Sequence, residues 1–411
     1  MDQLLLQKYA DFAVQVGVNV QKGQTLIIQC PVEGAFFARK CAEAAYRAGA
    51  GEVVVKYGDE QVDRLTMQYA SEQTLCSVNP YLLRSYLDYA EAEGGACVLN
   101  IVARDPEIYA GLDTAKINKA NLARRAALKE WQEDTMNNLV QWSIVAIPSP
   151  AWACKVFPGL EAAPAMEKLW QVIFDVCRVT GGDPVGEWQR HVAATAARRD
   201  KLNALDLASV RLQSANGTDL TVGLADDSVW AGASSVSAKG VGFIANIPTE
   251  EVFTAPHRDR VDGVVKGTKP YAYNGQLIEG FSVTFQNGKV VAHSAEKGEE
   301  LLGELLDSDE GARRIGELAL VPASSPINRS GVLFLNTLFD ENAACHIAFG
   351  RGYPENVRGG ETMTAEQLLQ KGLNASQIHE DVMVGSPDMR ITGITRTGEQ
   401  VLIFENGEWA L

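Results

Sequence analysis

His379 and Asp381 stand two apart in QIHEDVMVG, just ahead of an apolar run that reads as a strand, and in a strand such residues project to one face. An imidazole nitrogen beside a carboxylate is a metal-binding pair: the nitrogen suits a borderline transition metal, and the carboxylate holds one ion or bridges two. The other reading is a surface pair with a salt-bridged histidine, the commoner meaning of a lone His-x-Asp. A similar choice arises in NIPTEEVFTAP, where Glu250 and Glu251 stand side by side between apolar flanks. If the segment is extended, the two carboxylates point to opposite faces and only one faces a given site; burying it calls for a metal ion or a base. Alternatively, Thr249 caps a helix whose first turn carries both acids. His346 lies among small apolar residues in ENAACHIAFGRGYPEN, ahead of a glycine-rich turn bearing Tyr353, and a histidine so placed is more often a hydrogen-bonded core residue than a ligand. Glu317, in ARRIGELALVP, falls where the apolar pattern passes from helix toward strand, and its ordinary reading is a solvent-facing residue near a helix end.

Several other chemistries lack their motif. The chain has no G-x-x-x-x-G-K-[ST], no G-x-S-x-G and no H-E-x-x-H, which removes the usual phosphate loop, nucleophile elbow and helical zinc-protease signatures. Cys345 directly before His346 suggests a thiol nucleophile, but the two project apart in a strand, so a structural cysteine is the better reading.

The elements that must position these residues change character along the chain. Residues 3–17 have helical apolar spacing, 25–30 read as a buried strand, 33–49 as a glycine-terminated helix, and 51–58 and 96–103 as further strands. Helices alternating with buried strands predict a parallel α/β sheet, since a parallel pair needs a crossover. Residues 105–200 read as mainly helical, interrupted by Pro and Gly at 144–152 and 156–164, with a long helix at 188–205. Beyond residue 210, Asn-Gly turns between alternating apolar residues predict antiparallel hairpins at 210–224 and 280–296. A helical interlude at 297–318, a strand at SGVLFLNT and two turn-punctuated strand pairs at the C-terminus follow. The expectation is an N-terminal parallel α/β domain, 1–200, and a mixed, largely antiparallel domain, 201–411, that carries the site.

Composition narrows the partners. The chain has 411 residues, 46% of them hydrophobic, and a net charge of -15, with no dense basic run to bind a phosphate backbone. Nucleic acid is therefore an unsuitable partner, and the charge favours cationic substrates such as molecules bearing a free amine. No stretch is long enough to span a bilayer, and the N-terminus lacks the basic region and cleavage site of a signal peptide. Seven scattered cysteines without Cys-x-x-Cys fit a reducing cytoplasm.

Together, PTEEVFTAPHRDRV (248–261), SDEGARRIGELALVP (308–322), NTLFDENAACHIAFGRGYPENV (336–357) and HEDVMVGS (379–386) resemble the M29 aminopeptidases. The likeness reaches the first half through NLVQWSIVAIPSPAWACKVFPGL (138–160), so it covers nearly the whole chain. It implies a metal-dependent exopeptidase, usually a homodimer, that removes amino acids from peptides with a free N-terminus. Carried over by motif, the ligands of two divalent ions fall on Glu251, Glu317, His346, Tyr353, His379 and Asp381; zinc, cobalt and manganese all accept such a set. Tyr353 also becomes a candidate to stabilise the oxyanion, and Glu250 a candidate to support the ligands or carry a proton. Glu380 and Val382 depart from the more apolar or aromatic residues of related sequences, which bears on substrate preference. Two rivals stand beside this reading. A two-metal hydrolase of another bond, such as a phosphoester, would need cations near the metals, for which Arg258 and Arg351 are the candidates; a non-catalytic peptide-binding module would need no metal.

Overall fold

The first helix, Gln3–Phe12, starts at Asp2, whose carboxylate accepts from Leu4 N and Leu5 N, and runs on into a π-helical turn, Ala13–Gly17. It belongs to a computed structural model that describes residues 2–274 and 276–411. The chain divides into two compact units, Met1–Val192 with Ala233–Thr249, and Ala193–Gly232 with Glu250–Leu411. The segment Ala233–Thr249, which a single boundary at residue 200 would leave in the second domain, thus belongs to the first unit.

The first unit is built on four parallel strands in the spatial order Glu52–Gly58, Thr25–Pro31, Ala96–Val102, Gln141–Ala146. Leu26, Ile27 and Ile28 are all buried, because helices cover both faces of such a sheet; that is why these strands read as unbroken apolar runs. The helix Ala35–Ala48 stops at Gly49, whose φ of 97° suits only glycine without strain. Where prolines suggested only a broken helix, the chain forms the fourth strand and then the helix Pro150–Val156, capped by Ser149. The returning segment lies along that strand: Ile144 N–H donates to Ala245 O at 2.8 Å and Ile247 N–H to Ile144 O at 3.0 Å.

The second unit contains an eight-stranded sheet in the order Lys289–Ser294, Ser282–Gln286, Pro256–Lys266, Asp219–Leu224, Leu207–Gln213, Arg390–Thr395, Gln400–Glu405, Glu408–Trp409, with antiparallel neighbours throughout. At Asn287-Gly288 and Asn406-Gly407 both residues have positive φ, the geometry of the tight hairpin turn expected there. The α/β and largely antiparallel character predicted for the two parts is what the chain adopts.

Two local expectations fail. The helical interlude ends at Leu306, so Glu317 belongs to a strand, Ile315–Leu320, with every residue buried. SGVLFLNT forms no strand: Leu335 has a left-handed φ of 55°, and the backbone is held by a side chain instead. Asp340 Oδ1 accepts from Phe334 N at 2.9 Å and Oδ2 from Asn336 N at 3.0 Å. No described helix is long and apolar enough to cross a membrane.

Candidate metal centre

A second sheet of the same unit carries the chemistry, with strands in the order His379–Met383, His346–Gly350, Ile315–Leu320, Val252–Thr254, all antiparallel. Its register determines which side chains meet. Glu317 pairs with Ala348 and Ala348 with Asp381, while Phe253 pairs with Ala319 and Ala319 with His346. Directly opposed residues share a face, as do residues two apart, so Glu317, His346, His379 and Asp381 lie on one face. Ala348 and Ala319 between them are small enough to leave room above the sheet.

The Glu317 strand reaches this alignment through a bulge. Ile315 faces Phe349 and Glu317 faces Ala348, which leaves Gly316 as the extra residue. A bulge bends its strand and re-aims the side chains beyond it. Gly316 is required there: a Cβ would stand 2.3 Å from the carbonyl carbon and oxygen of Arg351. Glu250 and Glu251 form no helix N-terminus; they precede the short strand Val252–Thr254, which borders the Glu317 strand.

The result is two overlapping groups of potential ligand atoms, Glu251 with Glu317 and His346, and Glu317 with His379 and Asp381, each within 4.8 Å mutually. His346 Nε2 lies 3.1 Å from Glu251 Oε2 and 3.5 Å from Glu317 Oε1. The other oxygen of Glu317, Oε2, lies 3.6 Å from His379 Nε2, which is 3.5 Å from Asp381 Oδ1. Glu317 therefore turns one oxygen toward each histidine, as a bridging carboxylate does.

Both imidazoles are oriented from behind. His379 Nδ1 lies 2.7 Å from Arg351 O and His346 Nδ1 lies 3.3 Å from Ala344 O. A carbonyl only accepts, so each Nδ1 carries the proton and each Nε2 faces the carboxylates, the arrangement by which a protein holds a histidine ligand. Without a cation the rings take up protons: burial opposes charge on them, but Asp381 and Glu317 outweigh it and lift His379 to about 9. His346 is raised against burial by Glu251 and Glu317. Burial pushes Glu317 up to about 6, with His346 and His379 drawing it back, and Asp381 is lowered against burial by His379. Asp381 Oδ1 is buried and accepts no hydrogen bond. Two imidazole nitrogens and three carboxylates, one of them with an unsatisfied buried oxygen, are a donor set that fits divalent ions.

Tyr353 stacks obliquely on His379, ring centroids 4.6 Å apart, and burial together with Glu317 and Asp381 raises its phenol well above the ordinary range. Glu250 is buried but belongs to neither group. Arg351 directs its Nε–H to Ser376 O, and Arg258 lies 3.8 Å from Asp259 and 4.0 Å from Glu310. Cys345 is structural in its contacts: its thiol bonds Val321, and burial raises it to about 11.

Two residues escaped sequence reasoning. Glu341 is buried, and that burial, with Asp381 and Glu251 as charged neighbours, pushes its carboxyl well up. Asn342 is fully buried beside it. Both fall inside the motif that carries His346, and the signal was their polarity immediately before the apolar run AACHIAFG.

This chain matches the family described as thermophilic metalloprotease (M29) over residues 2–409. It is 44% identical over 405 residues to aminopeptidase 2 of Geobacillus stearothermophilus, spanning 98% of this chain and 97% of that one. It is 41% identical over 407 residues to aminopeptidase T of Thermus aquaticus, spanning 99% and 98%. The solved structure of wild-type AmpT from Thermus thermophilus superposes with a TM-score of 0.91 at 40% identity, covering 99% of both chains. The chain belongs to the M29 family of metallopeptidases. It is accordingly a hydrolytic enzyme of the metalloaminopeptidase class.

Proposed function

We propose that this enzyme removes N-terminal amino acids from peptides with a free α-amine and uses two divalent ions, zinc, cobalt or manganese, to do so. Glu251, Glu317 and His346 hold one ion and Glu317, His379 and Asp381 the other. The observation that carries this reading is Glu317, with one carboxylate oxygen toward each histidine. When bound, such an ion pair supplies a water that ionises near neutral pH and a Lewis acid for the scissile carbonyl.

The chain's own groups do the remaining work. The phenol of Tyr353 stays protonated at neutral pH and donates its O–H to the oxygen on which charge develops, a role worth about 10²–10³ in kcat. A buried carboxyl outside the ligand set takes the proton and returns it to the leaving amine. We assign this role to Glu341, which is buried and held by Asn342 Nδ2 at 3.2 Å, with Asp381 and Glu251 as charged neighbours; bound cations would draw its raised carboxyl down so that it can accept, and Glu250 supports its neighbour. The net charge of -15 draws in the substrate's α-ammonium. A phosphoester substrate is less well served, because Arg351 and Arg258 are engaged with Ser376, Asp259 and Glu310. We place the enzyme in the cytoplasm, as a homodimer.

The test is substitution combined with substrate blocking. Glu251→Ala, His346→Ala and His379→Ala are each expected to abolish turnover of an aminoacyl anilide while circular dichroism stays unchanged, and wild-type turnover in any of them refutes the assignment. Chelation should stop the wild-type reaction. Acetylating the substrate's α-amine should also stop it, whereas efficient cleavage of the blocked peptide would mean an endopeptidase.

A further inference from the structure

Glu251 enters the site at the point where a sheet ladder ends. Val252 pairs with Leu320, and continuing that register would set Glu250 opposite Pro322. Proline has no N–H to give, and the Pro322 carbonyl accepts from Ser325 N at 2.9 Å. The backbone N–H of Glu250 goes instead to a side chain, Asn342 Oδ1, at 2.7 Å. Asn342 has no solvent exposure. Its Nδ2 donates to Glu341 Oε1 at 3.2 Å and to Leu338 O at 3.3 Å, and its own carbonyl accepts from Ser325 Oγ at 2.5 Å. Because an N–H must meet the oxygen and two acceptors must meet the nitrogen, these partners admit only one orientation of the amide.

We infer that Asn342 is a positioning residue for the metal centre, a side chain standing in for the missing strand partner that holds Glu251 against His346 and, with its other end, orients Glu341. The inference rests on the two-ion reading above. Its physical content is a lever arm: Glu251 Oε2 is 3.1 Å from His346 Nε2 and is anchored on one side by the short strand Val252–Thr254. On the other side the anchor is the bond one residue back, at Glu250. Removing that bond frees the segment carrying Glu251 and leaves Glu317, His379 and Asp381 on their own strands. A residue that only filled space or satisfied buried groups would weaken the whole fold and favour neither ion.

The experiment is a zinc titration of the metal-stripped, full-length protein against a fluorescent chelator, for wild type, Asn342→Leu and Asn342→Asp, with a thermal melt of each. Asn342→Leu is expected to lose about 10–100-fold in affinity for one of two ions, the other being unchanged. Asn342→Asp keeps the acceptor for Glu250 N–H but loses the donor to Glu341 and Leu338, and is expected to recover part of the lost affinity. The proposal is overturned if Asn342→Leu binds both ions as wild type does, if both ions weaken equally, or if Asn342→Asp is as weak as Asn342→Leu. Should the leucine variant fail to fold, Ser325→Ala removes the hydroxyl that donates to the Asn342 main-chain carbonyl and accepts from Ile327 N. It is expected to weaken the same ion to a smaller degree, and unchanged affinity for both ions overturns the proposal. A wild type that binds a single ion refutes the two-ion reading alone. The comparison then moves to that ion, where loss in Asn342→Leu with recovery in Asn342→Asp supports positioning and equal affinity overturns it.

Discussion

His379 sets the pH behaviour of the site. In the metal-free protein its ring keeps a proton up to about 9, because Asp381 and Glu317 outweigh the cost of burial, whereas a metal takes the neutral imidazole. Loading must therefore expel protons, and affinity should fall as pH drops below about 9, by up to about tenfold per unit for each proton displaced. Calorimetric titration at pH 7 in buffers of different ionisation enthalpy should register at least one proton released; none would mean the ring is not a ligand. Asp340 acts in the other direction on stability. Burial raises its carboxyl to about 7, against about 3.9 in an unfolded chain, so between those values the folded state binds the extra proton. Its stabilising contribution is complete below pH 4 and lost as pH rises to 7, with a slope of up to about 1.4 kcal/mol per unit. Denaturation midpoints of Asp340→Asn, followed from pH 4 to pH 7, should show a flatter dependence than wild type.

At the scale of elements, the site depends on a one-residue bulge. Gly316 lets the Glu317 strand approach Arg351, and the Cβ of Gly316→Ala would stand 2.3 Å from backbone atoms that have nowhere to go. The substitution is expected to cost about 1–3 kcal/mol in chemical denaturation, as overpacking does, and to lower metal content because Glu317 is the next residue. Full metal occupancy in that variant would mean the bulge serves only the fold. Elements of this kind differ in how well local pattern reveals them. The Asn-Gly hairpins at 287–288 and 406–407 were legible because positive φ at both positions is a property of those two residues, and at 216–217 the glycine alone takes it. SGVLFLNT was not, because nothing local shows that Asp340 caps its backbone N–H groups and displaces a strand partner.

For the molecule as a whole, sequence order and spatial order part company. The first unit takes back Ala233–Thr249 after the chain has entered the second. Phe243, Ile244 and Ile247 are buried in that segment, so a fragment ending at residue 200 lacks part of its own core. Such a fragment should melt without a sharp transition, and a fragment in which residues 233–249 are joined to it should recover cooperativity. A sharp transition in the shorter fragment would show that the returning segment is dispensable. Read alone, the chain specifies its α/β and antiparallel halves, its hairpin turns, and the shared face of His379 and Asp381, because all of these follow from spacing within a few residues. Tertiary structure alone decides that Glu251, Glu317 and His346, which lie 29 to 95 positions apart in sequence, meet within 4.8 Å. The reason is that register between strands, and the bulge and the asparagine that adjust it, depend on pairings that no local window contains.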